Sequence, residues 1–257
     1  MQPVEIRSRD NPLLVRLRKL AQDSTAYRQQ GAVWLEGDHL LRACVERGHA
    51  LQEVVVSESG WQQPALRVLA GQGTRQVLVP DALFRGISAL ESPAAIGALV
   101  AVPAVPGIDA QAASIVLDRL QDAGNVGSIL RSAAAFGVRQ VLAIKGTAAL
   151  WSPKVLRAGM GAHFGLRLIE GLQPDDLAVL QVPLLATSSH AQQSIEQARL
   201  PQPAAWVLGH EGQGVQPGLM ARCGLTLRIP QPGGEESLNV AAAAAVCLYE
   251  AARQRGS

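Results

Sequence analysis

The chain is poor in aromatic residues, with Phe, Trp and Tyr making up 4% of 257 positions. Charged residues reach only 17%, and the formal net charge is +2, so the whole-chain balance gives no argument for a polyanionic partner. The three cysteines, Cys44, Cys223 and Cys247, are odd in number, widely spaced and without a Cys-x-x-Cys pair. That argues against a disulfide framework and against a zinc site, and leaves them as small buried residues. No window approaches the roughly 18 consecutive apolar residues of a membrane helix. The opening MQPVEIRSRD lacks the apolar centre of a secretory signal, so a cytoplasmic protein is expected. None of the five histidines has metal-ligand spacing with another, no metal is expected, and His163 and His210 read as supporting or solvent-facing groups. A serine nucleophile elbow and internal repeats are also missing.

What is present is a steady alternation of apolar runs with helical patterns, the mark of a layered α/β protein. A helix is expected from Pro12 to about Gln29, capped by Asp10 or Asn11, with Leu13, Leu14, Leu17 and Leu20 on one side. Strands follow at Ala32 to Leu35, Leu51 to Val56, Gln76 to Val79 and Ile96 to Val102. Helices lie after Gly37, near Gln63 to Ala70 and near Asp81 to Ile87. Pro103 to Gly107 is the best linker, dividing the chain into domains 1–104 and 105–257. Beyond it the strands are more apolar: Ile115 to Leu117, Gln140 to Ile144, Leu166 to Ile169, Leu184 to Ala186, Ala205 to Leu208 and Leu225 to Ile229. Helices are expected near Val126 to Phe136, Pro153 to Gly161, Asp175 to Leu180, Ser194 to Arg199, Gly218 to Arg222 and Leu238 to Arg253. Such a pattern predicts a mostly parallel sheet covered on both faces. Its ligands should sit outside the carboxyl ends of the strands.

Three loops at those ends could carry chemistry. In DRLQDAGNVGSILR, Asp118 to Arg131, Asn125 is suited to cap a helix. Arg131 follows six residues later, well round the helix from it. LGHEGQG, Leu208 to Gly214, is G-x-x-G-x-G, not the dinucleotide fingerprint, and Pro217 interrupts the helix that such a fingerprint should open. A nucleotide-dependent dehydrogenase is therefore disfavoured. Glu211 in this loop is positioned to meet exposed backbone donors or a ligand. In IPQPGGEESLN, Glu235 and Glu236 suit the positive end of a following helix dipole, and Ser237 is the N-cap by residue type. The alanine run Ala241 to Ala245 lets that helix approach another backbone closely. Ordinary strand–turn–helix connections, capping groups and surface charges would also account for each loop taken alone. Near the amino terminus, Arg7, Arg9, Arg16, Arg18 and Lys19 are opposed only by Asp10, a cluster that either tracks phosphates or forms a solvated helix face.

Taken together, DAGNVGSILRSAAAFG, LGHEGQG and IPQPGGEESLNV resemble, in order, the three motifs of the SpoU/TrmH family of RNA ribose 2′-O-methyltransferases, within the SPOUT class. The resemblance spans residues 114–257, and SPKVLRAGMGAHF from Ser152 resembles the segment between motifs. SRDNPLLVRLRKL and VWLEGDHLLRA resemble, more loosely, the appended substrate-binding domain of the rRNA-modifying branch. The resemblance implies a small amino-terminal α/β/α RNA-binding domain, then a carboxy-terminal, mostly parallel SPOUT domain with a trefoil knot. It implies S-adenosylmethionine as cofactor, held by Thr187, Leu208, Gly209, Gly212, Ile229, Pro230 and Leu238. The catalytic set it implies is Asn125, Arg131, Glu211, Ser237 and Asn239, with RNA contacts at Arg7, Arg9, Arg16, Arg18 and Lys19. It further implies a homodimer through the carboxy-terminal domain and rRNA in preference to tRNA. A non-catalytic RNA-binding or ribosome-assembly protein with the same fold is the alternative. Two departures stand out: Ala123-Gly124 replaces a usual Pro-Gly, and His210 replaces a usual Asn.

Overall fold

The computed structural model describes residues 2–104, 107–234 and 237–256. Residues 105 and 106 of the expected linker, and the paired glutamates Glu235 and Glu236, lie outside the described residues. The chain forms two compact units, Met1–Ala104 with Trp151–Phe164, and Val105–Leu150 with Gly165–Ser257.

In the first unit, β1 (Val4–Glu5) leads to α1 (Pro12–Gln22) and α2 (Ala26–Gln30). The single helix expected from Pro12 to Gln29 is thus two. Asp23 takes extended backbone angles, and its carboxylate accepts hydrogen bonds from Thr25 N (2.8 Å) and Thr25 Oγ1 (3.0 Å). This local turn outcompetes the helical backbone bonds. Asn11 is the cap of α1, accepting from Leu13 N at 2.9 Å, while Leu14, Leu17 and Leu20 are buried. There follow β2 (Ala32–Glu36), α3 (Asp38–Glu46), β3 (Leu51–Ser57), α4 (Glu58–Trp61), α5 (Pro64–Ala70), β4 (Gly73–Val79), α6 (Asp81–Ile87) and β5 (Ile96–Ala101). The sheet order is β1-β4-β3-β5-β2, parallel across β1, β4 and β3 and antiparallel at β5. Gly97 of β5 is required by packing: a Cβ there would lie 2.2 Å from the Trp34 ring and 2.8 Å from Leu35 O.

The second unit is built on a six-stranded, all-parallel sheet. After β6 (Ser114–Asp118) come α7 (Ala123–Ala135) and β7 (Gln140–Ile144). The chain then leaves for α8 (Pro153–Gly159), which packs on β2 and α1 of the first unit. It returns as β8 (Arg167–Leu172), β9 (Leu184–Thr187), β10 (Ala205–Gly209), α9 (Pro217–Met220), β11 (Leu225–Leu227) and α10 (Val240–Arg255). The helices expected at Asp175 to Leu180 and Ser194 to Arg199 are 3-10 segments, Pro174–Val179 and the single turn Ile195–Gln197. β11 is also shorter than expected, because Arg228 turns to bond Gln193 O (2.9 Å) and Ile195 N. One face of the sheet buries Val116, Leu142, Ile144, Ala186 and Val207 with Leu177 and Leu219. On α10, which packs on α7 and β10, Ala244, Cys247 and Leu248 are buried.

Of the cysteines expected to be small buried residues, Cys44 and Cys247 are buried and Cys223 is partly buried. Burial pushes the Cys44 and Cys247 thiols up to about 12 and Cys223 to about 11. Among the described residues no helix is long and apolar enough to cross a membrane. Replacing Gly97 with Ala should destabilise the first unit by about 1–3 kcal/mol, the range for overfilling a packed core. A lowered denaturant midpoint at unchanged slope would show it, and an unchanged midpoint would contradict the packing.

Candidate functional site

The strand order β11-β9-β10-β6-β7-β8 reverses direction between β6 and β10. From β6 the chain builds outward through β7 and β8, then crosses to the other side. At such a switch the loops part and leave a crevice at the carboxyl ends of the strands. Gly209 ends β10 in register with Asp118 at the end of β6. The three Gly-rich or Asn-bearing loops leave from this edge or return to it.

One hydrogen-bond chain joins all three. The Glu211 carboxylate accepts from Gln121 N (3.3 Å), Asp122 N (3.2 Å) and the Asn125 side-chain amide (3.3 Å). Asn125 Oδ1 accepts from the Asn239 amide at 3.0 Å. Asn239 Oδ1 in turn accepts from Ala241 N (2.9 Å) and Ala242 N (3.3 Å), capping α10. The carboxylate can only accept and the helix N–H groups can only donate, so both Asn side chains have one self-consistent orientation. Two capping expectations change here. Asp122, not Asn125, caps α7, accepting from Asn125 N at 2.7 Å, and Asn239, not Ser237, caps α10. The residue-type argument missed that a better-placed carboxylate and amide lay nearby. The Ala123 departure is harmless to the helix, since it occupies the first helical position, where Pro is tolerated but not needed.

The Glu211 carboxyl has a pKa below its ordinary 4.5. Burial acts to raise it, and this is outweighed by the N–H donors of Glu211 itself, Asp122 and Gln121, with the Asn125 amide adding to them. His210, beside it, accepts from Gly212 N through Nδ1 at 3.0 Å. An Asn side-chain oxygen makes the same bond two residues on in an Asx turn, so the His departure conserves the loop's local bond. His210 is not simply solvent-facing, because it lines the cavity described next. His163 is not solvent-facing either: it is buried, its ring 5.2 Å from that of Trp151.

A cavity of about 460 Å³ opens at the ends of β9 and β10. Of the residues expected to hold a cofactor, Thr187, Leu208, Gly209, Gly212, Ile229 and Leu238 line it; Pro230 does not. Glu211, Ser237 and Asn239 from the expected catalytic set line it as well, whereas Asn125 and Arg131 do not. Sequence reasoning missed Ser188, Ser189 and Gln231 in this lining, since nothing in their spacing marks them. The volume falls in the range of small-molecule sites, roughly 300–1,000 Å³. A Cβ on Gly209 would lie 2.1 Å from Gly214 C and from Val215 N, so only glycine lets the loop close there. The Gln231 side-chain oxygen is buried with no partner among the described residues, an acceptor left for a ligand donor. Among the described lining residues there is a carboxylate and no Lys or Arg, which suits a cationic sulfonium better than a pyrophosphate. The residues present therefore fit S-adenosylmethionine.

Asp118 was also missed. It is completely buried, and its carboxylate receives Gln216 N (2.7 Å), Gln216 Nε2 (2.8 Å) and Arg119 Nε (2.9 Å). At the sequence level it is only the first residue of the Asp118 to Arg131 loop, with no role of its own.

Arg131 is exposed on α7 with no hydrogen bond or ion pair among the described residues. Six residues beyond Asn125, it is about 9 Å further along the helix axis. In the first unit the basic cluster divides. Arg16 bonds Gln30 through its Oε1 (2.8 Å) and backbone oxygen (3.3 Å), and Arg18 bonds Arg9 O (2.8 Å). Arg7 pairs with Glu5 (3.1 Å) and Glu58 (3.8 Å), while Arg9 and Lys19 are exposed.

An all-parallel α/β sheet with a glycine-walled crevice at its switch point, tied by one Glu and two Asn, defines an α/β protein built to hold a small molecule. The SpoU rRNA Methylase family model matches residues 112–249. An uncharacterized tRNA/rRNA methyltransferase of Synechocystis is 33% identical over 97% of this chain and 94% of its own. The 23S rRNA (guanosine(2553)-2′-O)-methyltransferase RlmP of Bacillus subtilis is 28% identical over 84% of this chain and 86% of its own. The SpoU methyltransferase AviRb of Streptomyces viridochromogenes, solved in complex with AdoMet, is 25% identical with a TM-score of 0.83–0.86 across its two forms. In the AdoMet form the match covers 96% of this chain and 99% of that one. This chain belongs to the SpoU methylase family.

A depressed carboxyl stabilises the fold above its unfolded value near 4.5 and loses that contribution as pH falls through the lower folded value. Acidification should therefore lower the thermal midpoint of the native chain more steeply than that of Glu211→Gln, measured from pH 7 to pH 3. Parallel curves for the two proteins would show that Glu211 does not hold the loop as an ionised acceptor.

Proposed function

We propose that this chain transfers a methyl group from S-adenosylmethionine to a ribose 2′-hydroxyl of structured RNA, ribosomal RNA in preference to transfer RNA. The observation that carries the reading is the Glu211–Asn125–Asn239 chain, which ties the first family motif to the two motifs that line the cavity. In this reading the second unit, within residues 105–257, is catalytic, and residues 1–104 bind RNA through the Arg7 to Lys19 region, with exposed Arg9 and Lys19 the freest to meet phosphates. The relatives named as rRNA 2′-O-methyltransferases support the substrate class. A cytoplasmic setting goes with that substrate. The knot belongs to the same proposal, supported by the return of α10 from the edge strand β11 to the central β10.

The cofactor, when bound, supplies an electrophilic methyl group on a sulfonium. The rest falls to the chain. Backbone groups at Leu208, Gly209, Gly212, Ile229 and Leu238, with Thr187 and the side-chain oxygen of Gln231, hold and orient it; Pro230 stiffens the wall between Ile229 and Gln231. Holding the two reactants in line is worth up to about 7–11 kcal/mol in favourable cases. Glu211 has its oxygens engaged by three donors, so it orients Asn125 and the 121–125 loop instead of taking a proton. Asn239 and Ser237 shape the rim. Arg131, uncommitted within the described residues, meets the ribose or its adjacent phosphate. A guanidinium holds its proton too firmly to serve as a base, so it acts by stabilising the developing alkoxide.

A homodimer through the second unit is part of the proposal, supported by the exposed apolar side chains Val246 and Tyr249 on α10. Light scattering should give twice 27.1 kDa, and a mass of 27.1 kDa would refute it.

Tritiated S-adenosylmethionine with total RNA, followed by mass-spectrometric mapping, should place label on ribose 2′-oxygens of rRNA. Label on tRNA alone would move the substrate, and no label on any RNA would leave a non-catalytic RNA-binding protein. Arg131→Ala should lower transfer by about 10²–10³-fold, the scale of a lost transition-state donor, with cofactor binding changed only a few-fold. Calorimetry showing binding lost together with turnover would contradict that division of labour.

A further inference from the structure

Asp118 has no part in the chemistry just described, yet it is completely buried. A carboxylate taken out of water persists only where donors fill its oxygens. Here the donors come from two places. Arg119 contributes Nε to Oδ1 (2.9 Å) and Nη2 to Oδ2 (3.4 Å). Gln216 contributes its backbone N–H to Oδ2 (2.7 Å) and its side-chain amide to Oδ1 (2.8 Å).

The position of Gln216 gives these bonds their meaning. The cavity-lining loop leaves the sheet at Gly209, which is in register with Asp118, and comes back to the same carboxylate at Gln216. Both ends of the 210–216 segment thus meet at one residue. Inside that clasp the Gly214–Val215 backbone runs so close to Gly209 that a methyl group would not fit. Arg119 adds a second hold on the loop, its Nη1 donating to Gln213 Oε1 at 3.3 Å. Its backbone is left-handed, φ 60°, a costly conformation for a side-chain-bearing residue. Thr147 Oγ1 receives the Arg119 N–H (3.1 Å) and donates to Leu117 O (3.0 Å), supporting the turn that aims the guanidinium back at Asp118.

We propose that Asp118 is a positioning residue for the cofactor: its carboxylate clasps the 210–216 loop in the closed form that makes one wall of the cavity. The inference rests on the S-adenosylmethionine reading of that cavity. A salt bridge serving stability alone would leave cofactor affinity unchanged.

Calorimetry of S-adenosylmethionine binding, with hydrogen exchange at the Gln216 amide, tests it on the full chain. Asp118→Asn should weaken binding by about tenfold or more, the scale of a small misplacement transmitted to a site, and should speed exchange at Gln216. In turnover, KM for the cofactor should rise while kcat at saturation moves far less. Gln216→Glu, setting carboxylate against carboxylate, should weaken binding more than Gln216→Ala. The double variant Asp118→Asn/Gln216→Glu should recover most of the loss, because the new amide donates to the new carboxylate.

A loss of less than threefold in Asp118→Asn, or a double variant binding no better than its weaker parent, overturns the clasp. Should Asp118→Asn fail to fold, equal affinities for Gln216→Glu and Gln216→Ala overturn it instead. Absence of binding by the native chain would sink the cofactor reading alone. The Gln216 exchange rates would then still decide the clasp, unchanged rates in Asp118→Asn refuting it.

Discussion

The close approach of Gly209 to the Gly214–Val215 backbone is the constraint on which the rest of the site depends. Two peptide planes can touch only where neither carries a side chain on the contacting face, and here a Cβ would overlap main-chain atoms at 2.1 Å. Because the loop can turn back this tightly on β10, Glu211 is delivered to the start of α7 and Gln216 to the end of β6. Those contacts bring the Asn125 amide to Glu211 and, through Asn125, bind the cap of α10. Each such bond at a part-exposed position adds only about 0.5–1.5 kcal/mol to stability. Their larger effect is on geometry, since the one-way sequence of donors and acceptors leaves the three loops a single arrangement.

Much of the fold could be read from the chain because local and global signals agree. The six strands of the parallel sheet are short apolar runs bounded by turn residues, and Asn11 and the Pro12 helix start announce α1 by composition. The failures have local causes. Asp23 and Thr25 form a turn inside a helical pattern, a competition that periodicity does not register. Leu225 to Ile229 looks like one strand, but only Leu225–Leu227 keeps its ladder, since Arg228 takes up bonds with Gln193 and Ile195. Two apparent helices are 3-10 segments, Pro174–Val179 and Ile195–Gln197.

The site was legible in its motifs and illegible in its supports. Glycines next to Asn, Glu and Ser after apolar strands mark a ligand crevice by residue type alone. Asp118, Gln216, Ser188, Ser189 and Gln231 have no such signature, since their roles arise from pairings 98 residues apart or from lining a shared wall. The two capping assignments failed for a related reason. Ser237 and Asn125 are acceptable caps by type, but cap identity depends on which side chain reaches the free N–H groups, and Asn239 and Asp122 do.

The distribution of charge separates two tasks that a methyl-transfer site must keep apart. The described lining of the cavity holds a carboxylate and no Lys or Arg, so a sulfonium entering it meets no like charge. Arg119, at the end of β6, is committed to Asp118, whose hydrogen bonds raise the guanidinium pKa. Arg131 stays outside the cavity, exposed and unpaired among the described residues. Attraction for a polyanion and accommodation of a cationic methyl donor are opposite electrostatic demands, and at close range one residue cannot serve both. Burying Asp118 with Arg119 meets both demands. It commits the Arg119 guanidinium to a buried partner and uses the resulting pair to tether the crevice wall.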